Sequence, residues 1–200
     1  LCQSKLQEPS AWARRKERCA TAGWRRPGWR SNNRTAVQEA DSSPASLDEF
    51  GSENSEDYIA GFPPHPHRGI ETVTYMLAGD FEHKDSTGGE GRMTAGDVQW
   101  MKTGSGIIHS EMPAMKEGKL HGFQLWINMP AKLKMSKPEY IYIDADKMSV
   151  HKDDEKQVKV IAGKFENAEG PVKGHNVEPV YFDVELNKDK EFNFNIPSTH

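Results

Sequence analysis

The chain has 200 residues, of which 35% are hydrophobic, and its mean hydropathy is −0.81. This length accommodates one domain or two small ones. No apolar run approaches the roughly 18 residues that a membrane-spanning helix needs, so we expect no membrane insertion. The low apolar content indicates an all-β protein with a thin core, a partly unfolded chain, or both.

Charge is distributed unevenly along the chain. Residues 1–40 hold nine Lys or Arg against three Glu, a formal charge of +6, so with a net charge of −4 the other 160 residues carry −10. An acidic domain has no general attraction for nucleic acid, and we expect no direct nucleic-acid binding. Cys2 and Cys19 both lie in the basic part. The rest therefore lacks a disulfide framework, which favours a reducing intracellular compartment.

Residues 1–45 are predicted to be separate from the folded part. They combine basic charge with Pro27 and with runs of Ser and Asn, which is typical of a disordered tail or a non-native leader. The alternative is a nuclear localisation patch in the Arg-rich run at 14–18. Because the chain begins with Leu1, we also expect a fragment or a processed product.

From Ile70 onward, short β-branched and aromatic segments alternate with Gly-containing turns, which predicts strands. Only Ala131–Lys137 has a helical pattern, and strands without intervening helices predict a sandwich or barrel. The predicted strands are Ile70–Leu77, Gly91–Met93, Asp97–Met101, Gly106–Glu111, Leu120–Asn128, Tyr140–Asp144, Val158–Ala162, Val180–Leu186 and Phe192–Ile196.

Two pairs of ligand-type residues have the spacing of one strand face. His65 and His67 alternate with prolines that favour an extended backbone, so both imidazoles can point to one side. His109 and Glu111 repeat the spacing 44 residues after His65. Neighbouring strands would bring these four side chains together. Three imidazoles and a carboxylate with open positions suit Fe(II), with Mn, Co, Ni or Cu as other possible occupants.

Other candidates are weaker. Glu71 lies four residues after His67 and shares a strand face with apolar residues, so it is an alternative carboxylate ligand or a hydrogen-bond acceptor, ranked below Glu111. His121 shares a face with Phe123, Leu125 and Ile127 and is expected inside the barrel. The remaining histidines of polar stretches are expected to be solvated: His83, His151 and His175.

Four stretches resemble the pirin family of the cupin superfamily: Phe62–Tyr75, Gly96–Met101, Gly106–Pro113 and Gly122–Asn128. The resemblance covers roughly residues 46–200. It implies an all-β fold of two cupin (jelly-roll) barrels, of which the first binds one iron ion, Fe(II) or Fe(III). It also implies that this iron is held by His65, His67, His109 and Glu111, with no further catalytic residue identified.

The resemblance implies two alternative functions. One is quercetin 2,3-dioxygenase-type activity on a flavonol-like small molecule with O₂. The other is an iron-dependent transcription co-regulator that binds a transcription factor, found in the nucleus and cytoplasm. A monomer is expected in either case. Both functions need the same metal ligands, so the sequence does not separate them.

The family pattern also gives the expected domains. Residues 1–45 would be a non-family segment. Residues 46–135 would form the metal-binding cupin barrel without its first strands. Residues 136–200 would form a linker and the truncated start of a second cupin barrel. Such a chain would have marginal stability, because an incomplete barrel exposes sheet edges and apolar faces.

Overall fold

The computed structural model describes residues 45–171 and 179–195. The first strands and a short α-helix of the described residues are β1 (Ala45–Ser52), α1 (Ser55–Tyr58), β2 (Phe62–His67), β3 (Ile70–Ala78), β4 (Phe81–Asp85), β5 (Glu90–Met93), β6 (Val98–Lys102), β7 (Ile107–Pro113) and β8 (Leu120–Asn128). Then follow a 3-10 turn (Ala131–Leu133), β9 (Glu139–Ile143), a second 3-10 turn (Ala145–Lys147), β10 (Ser149–Lys152), β11 (Lys156–Ala162), β12 (Lys164–Phe165), β13 (Ala168–Glu169) and β14 (Tyr181–Leu186).

The strands up to β9 form two antiparallel sheets. One sheet has the order β1-β8-β3-β6-β9, and the other has the order β2-β7-β4-β5. Together they make a jelly-roll-like sandwich, which confirms the predicted all-β class. The sheet β10-β11-β14 and the hairpin β12-β13 follow along the chain. Among the described residues, no helix has the length and apolar character to cross a bilayer.

The five-stranded sheet carries different chemistry on its two faces. Residues of β3 alternate between them, because successive side chains of a strand point to opposite sides. Val73 and Tyr75 join an apolar cluster, whereas Thr74 accepts hydrogen bonds from Gln99 and Gln124 on the other face. All five of these residues are buried or half-buried. The polar face therefore looks into the sandwich rather than to solvent.

The apolar face packs against the third sheet. Met148, Ile161 and Tyr181 come from the part of the chain after β9, and they share one buried cluster with Val73 and Trp100. A second cluster closes one end of the sandwich and contains Phe50, Tyr58, Met76, Phe81, Met93 and Leu120. The cluster around Ile161 thus joins the sandwich to residues that sequence analysis assigned to a second barrel.

Several elements differ from the sequence prediction. Strands β1, β4, β10, β12 and β13 were not predicted, β2 was expected only as an extended segment, and the expected helix at 131–137 is only a one-turn 3-10 segment. No strand is assigned at 191–195, where one was predicted to begin. Strand β1 pairs with β8 along its whole length and forms one edge of the five-stranded sheet. The predicted segment 1–45 lies outside the described residues except for Ala45.

The joint between the sheets gives a stability prediction. Ile161 is fully buried in the cluster that spans both sheets. We expect Ile161→Ala to lower the free energy of unfolding by about 2 to 5 kcal/mol, because it removes buried methyl groups and leaves a cavity. Urea unfolding followed by fluorescence measures this change. Ile59→Ala is the matched control, since Ile59 is 46% exposed. Equal effects of the two substitutions would contradict the described packing.

Candidate metal centre

Three imidazoles meet between the two sheets. His65 and His67 lie on β2 and His109 lies on β7, and the antiparallel register places His65 opposite His109. The ring centroids are 4.8 Å apart for His65 and His67, 4.4 Å for His65 and His109, and 4.9 Å for His67 and His109. Each ring offers one nitrogen, and these three nitrogens lie within 4.8 Å of one another.

The local sequence explains this convergence. Exposed prolines, Pro64 and Pro66, alternate with the half-buried His65 and His67, so β2 presents both rings on its inner side. The backbone of Pro63 also fixes the ring of His65, because the carbonyl oxygen of Pro63 lies 2.8 Å from Nδ1 of that ring. A carbonyl only accepts, so Nδ1 of His65 carries the hydrogen. Its Nε2 is left with a lone pair for a metal.

The rings are held in the form that binds metals. Burial, assisted by the neighbouring His65, lowers the pKa of His67 to about 4 and that of His109 to about 2. Both rings are therefore neutral at pH 7. Nε2 of His109 is buried and has no hydrogen-bond partner among the described residues. A buried polar atom without a partner is costly, and a metal ion held with His65 and His67 would satisfy it.

Glu111 lies two residues beyond His109 on the same face of β7, but its carboxylate is directed elsewhere. It groups with His83 and His109 rather than with His65 and His67. Gln99 donates a hydrogen bond to its Oε1, and Gln124 donates to its Oε2 at 3.4 Å. Burial raises the pKa of Glu111 to about 7 despite these hydrogen bonds. Glu111 as the fourth ligand stays a prediction.

His83 was placed wrongly by sequence analysis. It is fully buried rather than solvated, and its ring stacks on Tyr140 with centroids 4.3 Å apart. Its Nε2 lies 3.0 Å from Oδ2 of Asp85. The signal for its burial was the alternation in β4, where Phe81, His83 and Asp85 share one face and the charged residues between them share the other. The polar neighbours concealed that pattern.

Glu71 lies on the opposite face of the five-stranded sheet from the imidazoles. Its carboxylate accepts a hydrogen bond of 2.7 Å from Nε1 of Trp100, which belongs to the apolar cluster. The role as a hydrogen-bond acceptor therefore fits the geometry, and the role as a competing ligand does not.

His121 and His151 also take no part in the cluster of three imidazoles. His121 is half-buried and bonds Glu49 at 3.0 Å, and the face that it shares with Leu125 is the outer, apolar one. The expectation that this face lines the barrel interior was wrong. His151 lies 3.2 Å from Asp153, and its side chain is 21% exposed. It is therefore largely shielded rather than fully solvated. His175 lies outside the described residues.

An open surface pocket of about 490 Å³ borders the histidine cluster at His67. His67 forms part of its wall, and the edge-to-face contact of His67 with Trp126, with centroids 5.0 Å apart, supports the ring from inside. The pocket is lined by Pro66, His67, Arg68, Ser86, Gly106, Ile107 and Ile108. A small molecule in this pocket would lie beside His67 and the ends of β2 and β7.

Comparison with known proteins agrees with this architecture. The pirin family model matches residues 30–127. A pirin-like protein of Caulobacter vibrioides is 51% identical over 142 residues, which are 70% of this chain and 51% of that protein. The chain belongs to the pirin family. It spans about half the length of the curated relatives that it matches.

Solved structures give the same fold. The structure of the Geobacillus kaustophilus protein GK1651 matches with a TM-score of 0.59 and 33% identity. The match covers 75% of this chain and 62% of the GK1651 chain. A quercetin 2,3-dioxygenase from Acinetobacter baumannii matches with a TM-score of 0.57 and 36% identity. The match covers 64% of this chain and 47% of the dioxygenase chain. The predicted cupin fold is therefore confirmed. The residues that the family model matches begin at residue 30, before the first described strand.

The raised pKa of Glu111 gives a pH-dependent prediction for the metal-free protein. The folded-state pKa of Glu111 lies above the ordinary 4.5, so ionising its carboxyl group lowers the stability of the folded chain. This loss of stability is absent below pH 4.5, grows as the pH rises, and is complete above about pH 7. Glu111→Gln removes this cost. The free energy of unfolding of Glu111→Gln, relative to that of the native chain, should rise by about 2 to 3 kcal/mol between about pH 5 and pH 8.

This difference is measured by urea unfolding of both proteins in the presence of a chelator. The titration of His67 and His109 is common to the two chains and cancels in the comparison. A difference that does not change with pH would show that the carboxyl group of Glu111 is not desolvated.

The two buried glutamates give a prediction for metal binding. Glu111→Gln should weaken iron(II) binding by about tenfold or more, whereas Glu71→Gln should leave it nearly unchanged, because only Glu111 lies on the face of the imidazoles. Equilibrium dialysis under argon measures both affinities. The two substitutions are isosteric and matched in burial. The reverse order would reassign the carboxylate ligand to Glu71.

Proposed function

We propose that this pirin binds one iron ion through His65, His67, His109 and Glu111 and oxygenates a flavonol-like substrate in the manner of a quercetin 2,3-dioxygenase. The observation that carries the proposal is Nε2 of His109, which is buried beside two further imidazoles and has no hydrogen-bond partner in the described part of the chain. The solved Acinetobacter baumannii relative, at 36% identity, is a quercetin 2,3-dioxygenase. Its activity supports the assignment of the reaction type.

The donor set favours iron over a structural zinc ion. Cys2 and Cys19 are the only thiols of the chain, and neither belongs to the pirin-matched residues 30–127. Structural zinc commonly uses thiolates, whereas imidazole with carboxylate and open positions suits Fe(II). Metal analysis of protein purified without added metal should accordingly give more iron than zinc or nickel.

The residues around the pocket support an aromatic, acidic substrate. Bound iron would supply a Lewis acid and a redox centre at which a flavonol and O₂ can react. Arg68 is exposed at the pocket and would attract the deprotonated hydroxyl of a flavonol. Ile107 and Ile108 provide apolar wall, and Trp126 holds His67 in place from the opposite side. The chain's own residues thus bind, orient and partly desolvate the substrate.

Turnover of quercetin tests the proposed reaction. The iron-loaded full chain should consume quercetin under air with release of carbon monoxide, the expected product of 2,3-cleavage, while His109→Gln should abolish turnover because it removes the central ligand. Absorbance of quercetin and gas analysis measure the reaction.

Quercetin that stays intact in the presence of stoichiometric bound iron would refute the dioxygenase proposal. It would leave the co-regulator function that the resemblance also implies. That function requires a transcription factor to bind the Fe(II) and Fe(III) forms with different affinities. Equal affinities would remove its mechanism.

A further inference from the structure

We propose that Asp85 and His83 are positioning residues that fix the ring tautomer of His109 and so keep its Nε2 free for a metal. The inference rests on the proposed metal site and names two residues outside the four predicted ligands. It concerns a chain of hydrogen bonds that runs from the turn between β4 and β5 to the predicted ligand His109.

The chain begins at the turn between β4 and β5. Oδ1 of Asp85 accepts hydrogen bonds from the backbone N–H of Thr87 at 2.7 Å, from the Thr87 hydroxyl at 2.6 Å and from the N–H of Gly89 at 3.1 Å. Its side chain is fully buried. Burial disfavours the charge, but these bonds and the bond with His83 outweigh burial and lower the pKa of Asp85. Asp85 is therefore a carboxylate, and it can only accept.

The second oxygen of Asp85 determines the tautomer of His83. Oδ2 lies 3.0 Å from Nε2 of His83, so that nitrogen must carry a hydrogen. The ring of His83 is fully buried, and burial favours the neutral form of an imidazole. A neutral ring with hydrogen on Nε2 has a lone pair on Nδ1. The stacked ring of Tyr140, tilted by only 10°, holds His83 in this orientation.

The tautomer of His83 in turn determines the tautomer of His109. Nδ1 of His83 lies 3.4 Å from Nδ1 of His109. Two facing lone pairs would repel, so the hydrogen must belong to His109, whose Nδ1 donates to His83. Nε2 of His109 then has the lone pair, and this buried nitrogen has no hydrogen-bond partner among the described residues. The carboxylate thereby selects, through one intervening imidazole, the metal-binding tautomer of the ligand.

Strand pairing builds this chain. In the register of β4 against β7, Asp85 lies opposite His109, and His83 lies opposite Glu111. The side chains of His83 and Asp85 share the inner face of β4, two residues apart. Asp85 therefore both closes the β4–β5 turn and orients a ring on the neighbouring strand.

Asp85→Asn is the decisive substitution. The amide oxygen can replace Oδ1 in the turn, because three donors converge there, and the NH₂ group then faces Nε2 of His83. That nitrogen would have to accept, so His83 would carry its hydrogen on Nδ1 and donate to His109. The tautomer of His109 would be inverted, with hydrogen on Nε2. Metal affinity should fall about tenfold or more.

Nitrogen-15 NMR of the imidazoles reads the tautomer directly in the metal-free full chain. His109 is assigned by the signals that disappear in His109→Gln. We expect hydrogen on Nδ1 of His109 in the native chain and on Nε2 in Asp85→Asn. Asp80→Asn is the matched control, since Asp80 bonds exposed Arg92 rather than a histidine, and it should leave the tautomer unchanged.

Two substitutions at His83 separate orientation from packing. His83→Phe keeps a ring against Tyr140 but offers no acceptor, so the hydrogen on Nδ1 of His109 loses its partner and iron(II) affinity falls. His83→Asn loses the ring but places its amide oxygen near the position of Nδ1, so it should retain the native tautomer and much of the affinity. A merely structural role predicts the opposite order.

The outcomes are distinct. Hydrogen on Nε2 of His109 in the native chain, or an unchanged tautomer and affinity in Asp85→Asn, would overturn the proposal. The tautomer measurement needs neither metal nor turnover. A chain with the expected tautomer that binds no iron would therefore refute the proposed function and leave the hydrogen-bond chain intact. If Asp85→Asn fails to fold, the tautomer of His109 in the native chain and the iron(II) affinities of the two His83 variants still test the proposal.

Discussion

Burial of the five-stranded sheet on both faces is the constraint on which the rest of the structure depends. One face is covered by the sheet that contains β11, and the other by the four-stranded sheet that carries the histidines. Alternation along a strand therefore separates two interiors rather than core from solvent. The apolar interior supplies cohesion through residues such as Trp100. The polar interior holds Thr74, Gln99 and Gln124, which give hydrogen bonds to the site.

A polar interior is stable only when its groups are satisfied, and this requirement accounts for the form of the site. Glu111 is bonded by two glutamines, His65 by a backbone carbonyl and His83 by Asp85. Nε2 of His109, by contrast, has no hydrogen-bond partner among the described residues. The same bonds that satisfy the neighbours thus leave one lone pair directed at the two imidazoles of β2.

The sequence predicted the two ligand pairs because i and i+2 residues share a strand face whatever the tertiary fold. It could not predict which face looks into the site. Glu71 was placed correctly with an apolar set, but that set packs on the third sheet. His121 was expected inside for the same reason and lies on the outer face. His83 and Asp85 were missed because their neighbours are charged, and strand β4 becomes visible only through its pairing with β7. Pairing between distant strands is not encoded locally.

The sharing of His109 between two groups, one with His65 and His67 and one with His83 and Glu111, links metal binding to stability. Without metal, the fold carries a partnerless nitrogen and a carboxyl group whose ionisation burial opposes. A cation would relieve both, since it bonds the nitrogen and favours the charged carboxylate. Because a ligand that binds only the folded state raises its stability, the metal-free chain should be the less stable form. The residues proposed to bind the metal are thus also residues whose burial would destabilise the chain in the absence of a metal.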